Sequence, residues 1–206
     1  MDGSRQGPEP NYVARGYARA QPDVGEGADG RGLRLEAGGL RFFRRAEHGA
    51  GGRAGIRQVL RSFLARGIPF KEYYALDISE RNIEYLREQF PRPDIHFMRA
   101  DIEDVSLPFR FDVGFSSLTF KHLYPSFEAA LRNCARNMSP GGRFIFDLVE
   151  GDQAHFVNQG RAYVRRYGRE EVLEILGKTG LDLVTFDEVV HDRHYRRLLV
   201  VAAKTD

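Results

Sequence analysis

Apolar residues are spaced in two ways along residues 56–203, and the two spacings alternate. The first stretch has apolar side chains three and four positions apart, which is typical of one buried helix face: Ile56, Val59, Leu60, Phe63 and Leu64. The same spacing predicts helices at residues 80–90, 127–138 and 170–179. Short apolar runs predict strands at residues 73–78, 95–100, 111–117 and 143–149, and a terminal hairpin at residues 181–190 and 195–203. The alternation predicts an α/β fold with a doubly wound, mostly parallel sheet and an antiparallel C-terminal hairpin.

The first 55 residues differ in composition from the rest of the chain. They contain no Ile, Lys or Thr, and Gly, Ala and Arg recur throughout them. A segment of this kind has too little apolar surface to form a core of its own. We therefore expect residues 1–40 to be a flexible N-terminal segment and residues 41–206 to form one folded domain, since 206 residues are typical of a single core.

The run from Leu40 to Ala46 occupies the position of a central strand, but its sequence is unusual for one. It carries three arginines, Arg41, Arg44 and Arg45. Central strands of a parallel sheet are buried on both faces and are therefore almost purely apolar. The pattern argues against a well-formed strand at this position.

A glycine-rich segment, residues 47–55, leads directly into the first predicted helix. Glycines let a backbone approach a ligand closely, and the helix that follows offers it unpaired N–H groups. Asp77 ends the next strand about 20 residues further on, where a carboxylate accepts both hydroxyls of a ribose. Gly49, Gly51 and Ala54 also match a dinucleotide-binding fingerprint, which leaves two readings open: a nucleotide cradle and a glycine-rich linker.

Four short segments follow the glycine-rich stretch in order: residues 75–79 (ALDIS), 99–103 (RADIE), 111–117 (FDVGFSS) and 139–144 (SPGGRF). Together with the terminal hairpin, they make the chain from about residue 49 onward resemble the class I S-adenosylmethionine-dependent methyltransferases, particularly those that act on small molecules. The resemblance implies a Rossmann-like fold, S-adenosyl-L-methionine as cofactor, and methyl transfer to oxygen or nitrogen of a small-molecule acceptor. The glycine-rich region is degenerate relative to the family, because an Arg-rich run precedes it.

The resemblance also implies which residues bind the cofactor. The carboxylate of Asp77 would take the ribose hydroxyls, that of Asp101 would accept from the adenine amino group, and Ser116 would lie beside the sulfonium. The full set that the resemblance implies is Glu47, Gly49, Gly51, Asp77, Ile78, Asp101, Ile102, Phe115 and Ser116.

A sulfonium cofactor already carries an activated methyl group, so such an enzyme chiefly aligns donor and acceptor and needs no metal. His122 and Tyr124 stand just beyond a strand end, where active residues of an open α/β sheet collect, and they are the candidate catalytic residues. His122 is the better general base near neutral pH, and a structural histidine at a helix start is its alternative interpretation. His191 and His194 lie in the predicted hairpin turn without a cysteine partner set, so we expect no metal site there.

Charge and cysteine content narrow the partners and the compartment. The formal net charge of +2 and the sequence pI near 8.7 give no basis for nucleic acid or a membrane surface as partner. Cys134 is the single cysteine and lies on an apolar helix face, which predicts a buried small hydrophobe in a reducing compartment. The sequence contains no apolar run of membrane-spanning length. We expect a cytoplasmic protein.

Two other functions stay open from the sequence. The Arg-rich run before the glycines is consistent with a catalytically inactive methyltransferase-like binding or partner protein. The fingerprint at Gly49, Gly51 and Ala54 is consistent with a NAD(P)-dependent oxidoreductase, although the antiparallel terminal hairpin argues against a dinucleotide fold.

Overall fold

The computed structural model describes residues 40–43, 54–157, 162–190 and 196–205. Its strands are β1 (Leu40–Phe43), β2 (Tyr73–Asp77), β3 (Ile95–Arg99), β4 (Phe111–Ser116), β5 (Met138–Val149), β6 (Ala154–Val157), β7 (Ala162–Arg165), β8 (Leu181–Val190) and β9 (Arg196–Lys204). Its helices are α1 (Ala54–Ala65), α2 (Glu80–Gln89), α3 (Glu128–Asn137) and α4 (Arg169–Thr179), with a short 3-10 helix at Phe120–His122.

Seven of these strands form one sheet in the order β3-β2-β1-β4-β5-β9-β8. The pairs from β3 to β5 are parallel, whereas β9 runs antiparallel to both β5 and β8. The predicted α/β fold, a doubly wound and mostly parallel sheet with an antiparallel C-terminal hairpin, is confirmed.

The strand that the arginines argued against is present at the centre of the sheet. β1 pairs with β2, with Leu40 opposite Tyr73 and Phe43 opposite Leu76, and it pairs on its other side with β4. The expectation was wrong because only one of the three arginines, Arg41, falls inside the four-residue strand. Leucine and two phenylalanines supply the other positions, and these residues suit a pleated strand.

The two faces of the sheet carry separate apolar cores. On one face α1 and α2 cover a cluster that includes Leu60, Ile83, Tyr73 and Phe97. On the other face α3 and α4 pack on a larger cluster that includes the strands of the C-terminal hairpin. The periodicity of the sequence therefore identified these helices correctly, with ends that differ by at most two residues.

Two local features fix the ends of helices. The side chain of Ser79 accepts a hydrogen bond from the backbone N–H of Asn82 and caps α2, as its position after the strand predicted. Gly180 has a φ of 71° and ends α4 in a left-handed conformation that a residue with a Cβ adopts at a cost.

The connection between β5 and α4 contains structure that the sequence analysis did not predict. Residues of β6 and β7 pair there as an antiparallel hairpin, with Phe156 opposite Tyr163. In the described part of the chain, no helix has the length and apolar character that crossing a bilayer requires.

Candidate functional site

The carboxyl ends of the parallel strands lie along one edge of the sheet. The order in which strands are added changes sides between β1 and β4. The chain passes from β1 through β2 to β3, then returns across the sheet to β4, which lies on the other side of β1. Ligands of open α/β sheets bind at this kind of switch point. The crevice outside the ends of β1 and β4 is therefore the candidate site. The residues expected from the sequence to bind or react lie in the last positions of β2 and β4 or in the segments that follow β1, β2, β3 and β4.

Three of those residues cannot be placed. Glu47, Gly49 and Gly51 follow β1 and lie outside the described residues.

Asp77 is the last residue of β2 and is buried. Its Oδ1 accepts a hydrogen bond from the backbone N–H of Ser79 at 2.8 Å, and its Oδ2 accepts one from Nδ2 of Asn82 at 3.1 Å. These bonds hold the carboxylate over the start of α2, where the helix dipole favours a negative charge. Each carboxylate oxygen can accept more than one hydrogen bond, so this orientation is compatible with binding a diol.

The end of β3 lies beside that of β2. The backbone N–H of Ala100 donates to the carbonyl oxygen of Asp77 at 3.1 Å, which brings Asp101 to the same edge. The Oδ1 of Asp101 accepts a hydrogen bond from the backbone N–H of Glu103 at 3.0 Å. Ile78 is half-buried, whereas Ile102 is buried in the larger core cluster.

The end of β4 supplies an aromatic ring and a hydroxyl. Phe115 is half-buried, and its ring meets that of Phe63 on α1 edge to face at 5.5 Å. Ser116 is only 5% exposed, and its Oγ has no hydrogen-bond partner among the residues that the structure describes. A buried polar atom of this kind is uncommon in a folded protein and points to a ligand or water that satisfies it.

His122 lies at the end of the 3-10 helix and is buried. Its Nδ1 is 2.9 Å from the backbone carbonyl oxygen of Tyr163 on β7. A carbonyl only accepts, so Nδ1 carries the hydrogen, and Nε2 of the neutral ring holds the lone pair. Nε2 is also buried. The ring thus connects the segment after β4 to the β6–β7 hairpin.

Tyr124 takes a different position from His122. Its side chain is 50% exposed, and its ring lies 5.2 Å from that of Tyr163 and 5.7 Å from that of Phe156, which is 43% exposed. We call Tyr124, Phe156 and Tyr163 the aromatic wall. The Tyr163 hydroxyl donates to the carbonyl oxygen of Pro125 at 3.2 Å, so the wall is braced by a hydrogen bond.

An ion pair that the sequence did not predict, between Asp147 and Arg197, lies next to the end of β4. Asp147 on β5 accepts hydrogen bonds from the backbone N–H of Leu118 at 2.5 Å and from Oγ of Ser117 at 3.0 Å. Nη1 of Arg197 on β9 lies 3.3 Å from Oδ2 of Asp147. A single acidic residue inside the apolar run of β5 was the available signal for Asp147, whereas nothing in the sequence pattern singles out Arg197.

Known proteins share sequence and fold with this chain. The family described as methyltransferase domain matches residues 49–146 of this chain. The fatty-acid O-methyltransferase of Mycolicibacterium smegmatis is 29% identical over 85 residues, which are 41% of this chain and 31% of that protein. The chain spans less than half the length of the curated relatives that it matches.

Solved structures share the fold at low sequence identity. The Burkholderia thailandensis 1,6-didemethyltoxoflavin-N1-methyltransferase, solved with bound 1,6-didemethyltoxoflavin and S-adenosylhomocysteine, has a TM-score of 0.64 at 21% identity, over 82% of this chain and 72% of that one. The cyclase SpnF has a TM-score of 0.61 at 17% identity, over 82% of this chain and 76% of its own. At these identities the likeness establishes the fold alone.

Proposed function

We propose that this chain, which matches the family described as methyltransferase domain over residues 49–146, is a class I S-adenosylmethionine-dependent enzyme that transfers a methyl group from S-adenosylmethionine to oxygen or nitrogen of a small molecule or lipid. The observation that carries the proposal is Asp77, a buried carboxylate at the end of β2 that two hydrogen bonds hold at the switch-point edge.

The described residues fit this cofactor. A nucleoside offers a ribose diol and an exocyclic amino group as donors, and the ends of β2 and β3 offer the carboxylates of Asp77 and Asp101 as acceptors. On the other side of β1, the buried hydroxyl of Ser116 has no hydrogen-bond partner in the described residues. A polar cofactor atom at that place would satisfy it.

Each of these residues has a binding role. Asp77 would hold the ribose and Asp101 the adenine, with the half-buried Ile78 supplying apolar contact to the ring. Phe115 and Ser116 would form the floor beneath the reactive end of the cofactor. Glu47, Gly49 and Gly51 would bind the methionine part. The bound cofactor supplies the activated methyl group, and the protein supplies alignment and exclusion of water.

The aromatic wall supports an acceptor site beside the cofactor. Tyr124 and Phe156 expose apolar ring surface next to the segment that follows β4, and this surface suits an aromatic or aliphatic acceptor. The name of the Mycolicibacterium relative, a fatty-acid O-methyltransferase, supports the inclusion of lipid acceptors in a substrate screen.

Proton transfer is needed only where the acceptor atom carries a proton that must leave. We assign that role to Nε2 of His122, because the Tyr163 carbonyl holds the proton on Nδ1. Once a screen has identified an acceptor, His122→Gln should lower turnover by about 100-fold or more and leave cofactor affinity unchanged. An equal loss of cofactor affinity would instead assign a structural role to His122.

Calorimetric titration of S-adenosylmethionine and S-adenosylhomocysteine into the full-length chain tests the proposal. We expect micromolar binding, and we expect Asp77→Ala to weaken it by roughly 10- to 100-fold, since it removes hydrogen bonds to a charged group. Asp77→Asn keeps the size of the side chain and serves if the alanine variant does not fold. Asp182→Ala, a matched change on the exposed part of β8, should bind like the wild type.

Two results would contradict the proposal. The first is no binding by a folded wild-type chain, which would favour the inactive methyltransferase-like protein. The second is binding that is equal in the wild type and in the Asp77 variants, which would mean that the cofactor occupies another place.

A further inference from the structure

We infer that Asp147 is a positioning residue, which holds the corner after β4 in the shape that cofactor binding requires. The β4 corner is residues 116–118. This inference rests on the proposed function, because it assigns a purpose to the corner only if Ser116 faces the cofactor.

Asp147 contacts the corner at two successive residues. Its Oδ1 accepts from the backbone N–H of Leu118, and its Oδ2 accepts from the hydroxyl of Ser117. β5 carries Asp147 to this place because Ser116 on β4 pairs in register with Phe146. One carboxylate thus fixes both the chain direction and a side chain immediately after Ser116.

The backbone at the corner needs such a restraint. Leu118 has a φ of 52°, in the left-handed region that residues with a branched side chain rarely adopt. Its side chain is nevertheless buried in the structure. Strained backbone of this kind persists where surrounding contacts determine it, and it concentrates at functional sites. The hydrogen bond from the Leu118 N–H to a charged acceptor is the contact that the structure provides.

The guanidinium of Arg197, on the C-terminal hairpin, offsets the cost of burying the Asp147 carboxylate. The side chains of Arg197 and Asp147 are 18% and 11% exposed, and the two charged groups are 3.3 Å apart. Arg197 lies on β9, which pairs antiparallel with β5. The β4 corner is therefore tied to the last strand of the fold, far from it in sequence.

A purely structural ion pair is the competing explanation, and two double variants separate it from positioning. Asp147→Asn with Arg197→Met removes both charges but keeps an oxygen that accepts from the Leu118 N–H. Asp147→Leu with Arg197→Met removes the charges and the acceptor together, so the corner loses its restraint. Neither double variant leaves an unpaired buried charge. A change of Asp147 or Arg197 alone would leave one, and that would be its main cost in stability.

The readout is the dissociation constant of S-adenosylhomocysteine, measured by calorimetry on full-length proteins whose folding is confirmed by circular dichroism. Positioning predicts that the Leu/Met protein binds about tenfold or more weakly, and that the Asn/Met protein binds within about threefold of the wild type. Phe90→Ala, a core change at the C-terminal end of α2 in the smaller cluster, on the other face of the sheet, controls for general loss of stability and should leave the affinity unchanged.

Equal affinity in the folded Leu/Met and Asn/Met proteins would overturn the inference while leaving the proposed function intact. If the Leu/Met protein does not fold, Asp147→Ser with Arg197→Met takes its place, because the shorter serine side chain does not span to Leu118, and the same tenfold loss is expected. Absence of binding in the wild type itself would reject the proposed function instead.

Discussion

The two sides of the crevice between β1 and β4 are held in different ways. On the β2 side, the carboxylate of Asp77 is bound by Ser79 and Asn82, which are two and five positions further along the chain. On the β4 side, Asp147 binds the corner across 29 and 30 positions, and His122 reaches Tyr163 across 41.

The two sides therefore depend on the rest of the fold to different degrees. The β2 side is a strand end and a helix cap, so its geometry follows from neighbouring residues once the strand is in the sheet. The β4 side is assembled from β4, β5, the β6–β7 hairpin and β9, and it exists only when the whole C-terminal half has folded. Changes in the larger core should therefore disturb the β4 side, whereas changes at the α2 cap should remain local.

Of these changes, we expect Phe120→Ala, on the β4 side, to have the largest effect on stability. The ring of Phe120 is fully buried, 5.2 Å from each of the rings of Phe127 and Phe146. Its removal should lower the free energy of unfolding by about 3–5 kcal/mol, as measured by denaturant titration. Tyr124→Ala changes a half-exposed ring nearby and should cost much less. A loss below about 1 kcal/mol for Phe120→Ala would mean that this core is not cooperative with the sheet.

Gly114→Ala tests how closely β4 is packed against its neighbours. A Cβ at this position of β4 would lie 2.4 Å from Cδ2 of Phe144 and 2.8 Å from Cε2 of Phe111. Both rings are buried and cannot move away cheaply, so we expect a loss of about 2–3 kcal/mol in the same denaturant titration.

Gly177→Ala is the matched control for that change. Gly177 lies within α4, and nothing is within 4 Å of the position that a Cβ would occupy. The alanine should stabilise the protein by about 0.5–1 kcal/mol, because it limits the freedom of the unfolded chain. Similar losses for both glycines would remove the steric explanation for Gly114.

Ser79→Ala tests the β2 side, and we expect a smaller effect on stability. It removes the hydroxyl that accepts from the Asn82 N–H at the start of α2, which should cost about 1 kcal/mol in the free energy of unfolding. Ser79→Thr keeps a capping oxygen and should recover most of the loss. If Ser79→Ala also weakened the protection of β9 amides from hydrogen exchange, the two sides would be coupled more strongly than their contacts indicate.

Cys134 gives the mildest test, in which no residue is changed. Burial raises the pKa of its thiol well above the usual range, so a thiol reagent should label the native protein far more slowly than the denatured protein at pH 8. Because the folded-state pKa is raised, this group stabilises the fold fully below the unfolded pKa of about 8.5 and loses that contribution as pH rises above it. Rapid labelling of the native protein would mean that α3 opens readily.

Most of the regular elements could be predicted from the sequence, for a physical reason visible in particular residues. The buried face of α1 follows from apolar positions such as Leu60 and Phe63. The end of α4 follows from the glycine at position 180, which adopts a left-handed backbone in the structure. The β6–β7 hairpin was missed because its two short strands mix polar and apolar residues without a clear alternation. β1 was misjudged because pairing with strands on both sides outweighed the unfavourable character of Arg41.

The candidate site divides in the same way. The residues at the ends of β2, β3 and β4 were predicted from segments that resemble a family, and the structure places them along the switch-point edge; their roles stay predictions. His122 and Tyr124 are two positions apart in sequence, yet one is buried against the hairpin and the other is exposed in the aromatic wall. Only packing against residues about 40 positions away separates them, and periodicity carries no information about such contacts.

By itself, the sequence determined the order of strands and helices and the carboxylates at strand ends, because hydrophobic periodicity and helix capping act between residues a few positions apart. The tertiary structure alone decided that β1 forms between β2 and β4 despite Arg41, that Leu118 adopts a left-handed backbone, and that Asp147 is neutralised by Arg197. Those features depend on strand order and on a buried ion pair between distant residues, and such energies arise only when the sheet brings the groups together and removes water from between them.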